Sequence, residues 1–239
     1  MDERLGGVSM GDAGVPRPGK IICVGRNYLA HARELGNELP QEPLLFLKPP
    51  SAVIASGAPI VRPVMSSQVE FEGEIGIVIG RTLRHATARQ ARDAIAAVLA
   101  ANDVTARDLQ RSDGQWTRAK GFDSFCPVGT PDEPRVPLDA LEVITRVNGA
   151  VRQHGRASEM AFPIPDLLAY ASAIMTLEPG DLLLTGTPAG VGPLIAGDEV
   201  EVEIPGLSRV VNPVVDERAV SPVAPEAAGT HTFNRSVGS

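Results

Sequence analysis

The most regular alternation of apolar and polar positions in the chain lies between residues 69 and 79. Apolar residues occupy odd positions, whereas Glu70, Glu72 and Glu74 occupy even ones. A period of two predicts a β-strand and places the three carboxylates on one face of it. Neighbouring carboxylates on that face would repel each other by roughly 2.5 kcal/mol at an effective dielectric of about 20. The face is therefore either solvated or neutralised by a cation.

Similar patterns predict further elements before and after this strand. The predicted strands cover residues 21–25, 44–47, 141–147, 151–154, 181–185, 199–204 and 208–211. The pair Asn148-Gly149 predicts a hairpin turn. The predicted helices cover residues 27–36, 87–99 and 163–177, and residues 107–110 form a turn or a short helix. The second helix is predicted from a capping box at Thr87 and an apolar stripe that ends at Leu99.

Length allows one large domain or two small ones, and composition favours many short strands. The chain has 239 residues, of which 43% are hydrophobic and 21% charged, and its 24 glycines and 21 prolines are spread along it. Glycines and prolines at such frequent intervals are typical of tight turns between strands. We expect an α+β, mostly β fold, with a flexible segment at 1–19, a single catalytic domain at 20–212 and a largely disordered tail at 213–239.

Charge and targeting signals exclude several classes of partner. The net charge of −7 argues against nucleic acids and anionic membranes. No apolar run approaches the roughly eighteen residues of a membrane-spanning helix, and the N-terminus does not resemble a signal peptide. Two cysteines, Cys23 and Cys126, provide no disulfide framework. We expect a cytoplasmic enzyme with a small-molecule substrate.

Three acidic residues form a candidate metal site. Glu72 and Glu74 supply two oxygens, and Asp103, just after the predicted second helix, supplies a third. Oxygen ligands without His or Cys suit Mg²⁺ or Mn²⁺, with Ca²⁺ as an alternative, and disfavour Zn²⁺. The competing interpretation is a solvated acidic strand in a purely structural protein.

Other polar residues are candidates for acid–base chemistry and substrate binding. His31 and Glu34 share a helix face, so the carboxylate can orient the imidazole as a general base that activates water; a surface ion pair is the alternative. Lys120 can bind a carboxylate or an enolate oxygen, or face solvent. Arg107 and Gln110 can hold a carboxylate or ketone, or face water. Thr187 lies in a glycine-rich turn that can bind an anion or simply join two strands.

The order of these motifs resembles the fumarylacetoacetate hydrolase family, in its compact acylpyruvase and oxaloacetate decarboxylase subgroup. The matching blocks run from about residue 20 to 211 and are Gly25-Arg26-Asn27-Tyr28 with His31 and Glu34, Glu72-x-Glu74, Asp103 with Arg107 and Gln110, Lys120-Gly121-Phe122-Asp123, and Thr185-Gly186-Thr187-Pro188 with Gly190 and Gly192.

The resemblance implies a mixed β-sandwich or β-roll with a few flanking helices, usually a homodimer. It assigns Glu72, Glu74 and Asp103 as Mg²⁺ or Mn²⁺ ligands and His31 and Glu34 as a catalytic dyad. It assigns Lys120 to catalysis and the following residues to substrate binding: Arg26, Tyr28, Arg107, Gln110 and Thr187. Glu70 departs from the family pattern, because relatives often carry Asp or His there, and its role is left open.

These assignments favour a metal-dependent enzyme that cleaves a C–C bond of a 2-oxo acid through a metal-stabilised enolate. Acylpyruvate hydrolysis and oxaloacetate-type decarboxylation share that enolate, and so does an isomerase of the 2-hydroxyhepta-2,4-diene-1,7-dioate type in aromatic catabolism. A non-catalytic oxo-acid binding protein is the alternative from another class. The sequence does not separate these activities.

Overall fold

The computed structural model of the protein describes residues 14–29 and 40–217. Its strands are β1 (Ile21–Gly25), β2 (Leu44–Lys48), β3 (Val53–Ile54), β4 (Ile60–Arg62), β5 (Val69–Phe71), β6 (Gly73–Ile79), β7 (Ile95–Asn102), β8 (Thr105–Ala106), β9 (Cys126–Pro127), β10 (Glu142–Val147), β11 (Ala150–Arg156), β12 (Leu182–Leu184), β13 (Gly192–Pro193), β14 (Glu199–Ile204) and β15 (Ser208–Asp216). Its helices are α1 (Ala88–Arg92), α2 (Arg107–Ser112), α3 (Thr117–Lys120) and α4 (Ile164–Ile174). Within the described residues, none of these helices meets the length and apolarity needed to cross a membrane.

Two five-stranded sheets pack face to face. The first has the order β2-β1-β12-β6-β7 and the second the order β11-β10-β14-β15-β4. Ile75 and Ile77 of the first sheet share a core with Val143 and Val202 of the second, and Leu167 of α4 belongs to the same core. The α+β, mostly β sandwich predicted from the sequence is therefore confirmed.

The opposite face of the first sheet is also covered. Cys23, Val78 and Leu184 pack there against Cys126 and Val128, in and after the small sheet β3-β9. With both faces buried, a strand carries a continuous apolar run rather than an alternating one. This explains why β12 is three consecutive leucines and why every residue of β6 is buried.

The segment 69–79 is not one strand, as the alternation predicts, but two. β5 ends at Phe71 and belongs to the three-stranded sheet β13-β5-β8, whereas β6 begins at Gly73 in the first sheet. The break is at Glu72, whose amide donates to the Asn102 side chain (2.9 Å) rather than to a neighbouring backbone. Glu70, Glu72 and Glu74 nevertheless line a common cavity.

The predicted helix at 87–99 is also wrong in its second half. The capping box between Thr87 and Gln90 is present, but α1 ends at Arg92 and the chain continues as strand β7. β7 pairs antiparallel with β6 from Asn102 to Ile95. The helix propensity of its alanines is a weak preference, which pairing at the edge of a buried sheet overrides.

The other predicted elements match more closely. The Asn148-Gly149 hairpin joins β10 and β11, with positive φ at both residues as a type I′ turn requires. β15 continues past the predicted domain end at residue 212, because residues 214–216 pair with β4. Most of the predicted helix 27–36, the predicted N-terminal segment up to residue 13 and the predicted tail beyond residue 217 lie outside the described residues.

Candidate functional site

A cavity of about 580 Å³ opens where the first sheet meets the β13-β5-β8 sheet and helices α2 and α3. Four carboxylates line it: Glu70, Glu72, Glu74 and Asp103. Four cationic side chains also line it: Arg26, Arg107, Arg111 and Lys120. Phe46 and Trp116, packed edge to face with ring centroids 5.2 Å apart, form an aromatic wall.

Glu72, Glu74 and Asp103 converge inside this cavity. One carboxylate oxygen of each lies within 4.8 Å of the others, and all three side chains are buried. Glu72 lies at the break between β5 and β6, and Glu74 is the second residue of β6. Asp103 follows β7, and its amide donates to the Glu72 carbonyl at 2.8 Å. The alternative of a solvated acidic strand is therefore wrong for these residues.

Two buried lysines compensate part of this negative charge. Lys120 Nζ donates to Glu72 Oε2 (2.8 Å) and to Asp103 Oδ2 (2.6 Å). Lys48 Nζ donates to Asp103 Oδ1 (2.6 Å) and to the Val104 carbonyl. Burial lowers the pKa of Lys120, but the charges of Asp103 and Glu72 outweigh burial and raise it above its ordinary value. Lys120 is therefore held as a cation.

Glu74 is compensated least among the three acids. Its carboxylate accepts a hydrogen bond from the Gly186 amide (2.7 Å), and in the described part of the chain no cationic side chain forms an ion pair with it. Burial, followed by repulsion from Asp103 and Glu72, raises its pKa well above the usual value. A buried carboxylate beside two others fits a divalent cation, and three oxygen donors suit Mg²⁺ or Mn²⁺.

Arg107 holds the outer part of the acidic cluster. Its Nε donates to Glu70 Oε2 (2.8 Å), one Nη to Glu72 Oε1 (2.6 Å) and the other Nη to Gln110 Oε1 (2.6 Å). Glu70 also accepts a hydrogen bond from the side-chain amide of Gln68. The open question about Glu70 is thus answered in part, because Glu70 contacts the site through Arg107. Arg107 and Gln110, predicted as substrate-binding residues, bond to each other.

Thr187 also lines the cavity, in the turn after β12. Its hydroxyl donates to the Gly73 carbonyl (2.8 Å) and accepts a hydrogen bond from the side-chain amide of Gln153 (2.7 Å). The hydroxyl hydrogen is therefore already engaged with the backbone between Glu72 and Glu74. A substrate could approach Thr187 only as a donor to the hydroxyl oxygen or through its backbone.

The two remaining predicted substrate-binding residues, Arg26 and Tyr28, lie in different surroundings. Arg26 lines the cavity, with a left-handed backbone (φ 59°). Tyr28 is instead part of the apolar core, and its hydroxyl has no hydrogen-bond partner among the described residues. Burial, with a contribution from Glu74, raises the pKa of Tyr28. His31 and Glu34 lie outside the described residues.

Sequence reasoning did not identify Lys48, Asn102 or Gln153 as parts of the site. Lys48 had a local signal, because it is a charged residue at the end of an apolar strand, directly before two prolines. Gln153 contacts residues more than thirty positions away on either side. No local sequence pattern predicts contacts between residues so far apart.

Comparison with known proteins identifies relatives along most of the chain. Residues 20–215 match the model of the fumarylacetoacetate (FAA) hydrolase C-terminal family. The protein Rv2993c of Mycobacterium tuberculosis is 52% identical over 200 residues, which are 82% of this chain and 75% of that protein. A mitochondrial oxaloacetate decarboxylase of Dictyostelium discoideum is 44% identical over 195 residues, covering 79% of this chain and 89% of the relative.

A solved structure supports the same relationship. The crystal structure of a 2-hydroxyhepta-2,4-diene-1,7-dioate isomerase from Mycobacterium marinum superposes with a TM-score of 0.78 at 48% identity, covering 85% of this chain and 77% of that one. The relatives thus include enzymes named as a decarboxylase and as an isomerase, which confirms the predicted subgroup and the predicted fold. The chain belongs to the fumarylacetoacetate hydrolase family and is an enzyme of that family.

Proposed function

We propose that this enzyme cleaves a C–C bond of a 2-oxo dicarboxylic acid, as in the decarboxylation of oxaloacetate, with the help of a divalent cation. The observation that carries the proposal is the convergence of Glu72, Glu74 and Asp103 beside Lys120 in one cavity. The similarity to an oxaloacetate decarboxylase agrees with it.

The three carboxylates would hold Mg²⁺ or Mn²⁺, with Ca²⁺ as an alternative. Their oxygens are buried and close together, and no His or Cys belongs to the cluster among the described residues. A bound ion would polarise the 2-oxo carbonyl as a Lewis acid. Burial and then the repulsion from Asp103 and Glu72 raise the pKa of Glu74, and the bound ion would offset that repulsion.

Lys120 would stabilise the charge that develops during bond cleavage. An ammonium group has three donors, and Lys120 uses two of them on Glu72 and Asp103. Among the described residues the third donor has no hydrogen-bond partner, and it would be available to a substrate oxygen. When CO₂ departs, the electron pair of the broken bond remains on the substrate as an enolate, whose oxygen this donor would stabilise. We assign the return of a proton to carbon to His31, oriented by Glu34.

The charge of the cavity favours a substrate with two carboxylates. Its lining has four acidic and four basic side chains, so a divalent ion leaves two positive charges in excess, and Lys48 behind Asp103 adds one more. Arg26 is half-buried and forms no ion pair with another described residue. We assign it to the second carboxylate. Such binding lowers KM but does not itself speed the loss of CO₂.

A second candidate is isomerisation of a longer unsaturated diacid, in which removal of a proton from the intact substrate gives an enolate that is reprotonated at another carbon. The similarity to the M. marinum isomerase favours it. Acylpyruvate hydrolysis is the third use of the same enolate, and there His31 would activate water. Lys120 would have the same role in all three reactions, so assays on substrates must separate them.

A substrate panel tests the proposal. The enzyme would be treated with a chelator and assayed on oxaloacetate, acetylpyruvate and 2-hydroxyhepta-2,4-diene-1,7-dioate with and without Mg²⁺ or Mn²⁺. We expect metal-dependent turnover, with kcat/KM higher for oxaloacetate than for the monocarboxylate acetylpyruvate. Glu72→Gln should lower kcat by at least about 10–100-fold, the loss typical when the surroundings of a metal ligand are disturbed. Full activity without metal, or no turnover of any of the three, would reject the proposal.

A further inference from the structure

The backbone between the two glutamate ligands is held by side-chain amides. The Glu72 amide donates to Asn102 Oδ1 and the Gly73 amide to Gln153 Oε1, each at 2.9 Å. Both amide side chains are buried, with about 1% of each residue exposed. Gln153 belongs to β11 in the second sheet and does not line the cavity.

Gln153 joins this backbone to the turn after β12. Its Nε2 donates to Thr187 Oγ1 (2.7 Å) and to the Pro188 carbonyl (2.8 Å), while the Thr187 hydroxyl donates to the Gly73 carbonyl. Gly73, Gln153 and Thr187 thus form a closed ring of hydrogen bonds. Both polar groups of the Gly73 backbone are engaged in this ring.

Close packing removes the remaining freedom of this backbone. A Cβ atom at Gly73 would lie 1.9 Å from Thr145 Oγ1 of β10, so the main chain lies directly against the second sheet. Glu72 and Glu74 flank Gly73, and their side chains start from this segment. A shift of the segment would change the distance between their carboxylates, and metal sites are sensitive to groups that orient their ligands.

We propose that Gln153 is a positioning residue that sets the geometry of Glu72 and Glu74 for a divalent cation, acting through Gly73 and Thr187. The inference rests on the proposed metal role of these glutamates. It extends the site into the second sheet, beyond the residues that line the cavity.

The test measures Mn²⁺ affinity by titration, independently of turnover. Gln153→Met keeps the volume and loses the hydrogen bonds, and Gln153→Glu, when ionised, can still accept from Gly73 but cannot donate to Thr187 or Pro188. We expect the Mn²⁺ Kd of both variants to rise by about 10–100-fold. If Gln153→Met does not fold, Gln153→Glu alone decides.

Asn212→Leu is the matched control. Asn212 is a buried amide in β15 that donates to the carbonyls of Ala55 and Ala58. Loss of these two hydrogen bonds in Asn212→Leu should lower the free energy of unfolding without changing the Mn²⁺ Kd. Wild-type Mn²⁺ affinity in a folded Gln153 variant would overturn the role of Gln153 alone. A wild-type chain that binds no Mn²⁺ would overturn the metal site and this inference with it.

Discussion

At the residue scale, Asp103 shares its carboxylate between two buried lysines, Lys48 and Lys120. Removing one partner of a buried ion pair usually costs about 3–5 kcal/mol, because the remaining charge is left uncompensated. A divalent cation beside Asp103 would supply positive charge in place of the missing lysine. The cost of removing Lys48 should therefore depend on metal.

Lys48→Met should lower the free energy of unfolding by about 3 kcal/mol in the presence of a chelator. The loss should be smaller in saturating Mg²⁺, because the ion compensates Asp103. Urea unfolding under both conditions measures the difference. Lys20→Met, which breaks the distant pair with Asp181, is the control and should lose the same stability with or without Mg²⁺. An equal loss for Lys48→Met under both conditions would contradict the account.

At the element scale, helix α2 presents Arg107 and Gln110 to the cavity although it has only six residues. Asp108 anchors its first turn to the loop before β5. Its carboxylate accepts from the Ser66 hydroxyl (2.6 Å) and from the Ser67 amide (2.8 Å) and hydroxyl (2.9 Å). Burial raises the pKa of Asp108, but the hydrogen bonds from Ser66, Ser67 and Leu109 outweigh burial and lower it to about 2.

This anchor should weaken in acid. Because the pKa is lower in the folded state than the ordinary value of 3.8, the stabilisation is fully present above pH 3.8 and is lost as the pH falls toward 2. Asp108→Asn should therefore make the free energy of unfolding fall less steeply between pH 4 and pH 2. Denaturant unfolding across that range provides the measurement. An unchanged slope would show that Asp108 is not the anchor.

Strand β7 shows where local patterns fail to predict an element. The capping box at Thr87 predicts the start of α1 correctly, because capping depends on residues three apart. The end of α1 is decided by the pairing of β7 with β6, a contact between segments distant in sequence. The Asn148-Gly149 hairpin, in contrast, depends on its own turn residues and was predictable.

At the scale of the whole molecule, the fold brings together a cluster of acidic and basic side chains around the cavity. The sequence motifs predict only part of this cluster. The acidic residues at 72, 74 and 103 and Lys120 could be identified from their order in the sequence. Lys48 had a local signal, but neither its contact with Asp103 nor the pair of Glu70 with Arg107 could be predicted, because several strands must first come together. The same holds for Gln153, which reaches the site from the second sheet.

The central claim is that Glu72, Glu74 and Asp103 together bind one divalent cation. Equilibrium titration of the metal-free chain with Mn²⁺ measures this directly. The account predicts one tight site per chain, lost in Glu74→Gln and retained in Glu201→Gln, which removes an acid from partly exposed ion pairs with Arg146 and Arg209. A wild-type chain without a tight Mn²⁺ site, or undiminished binding in Glu74→Gln, would contradict it.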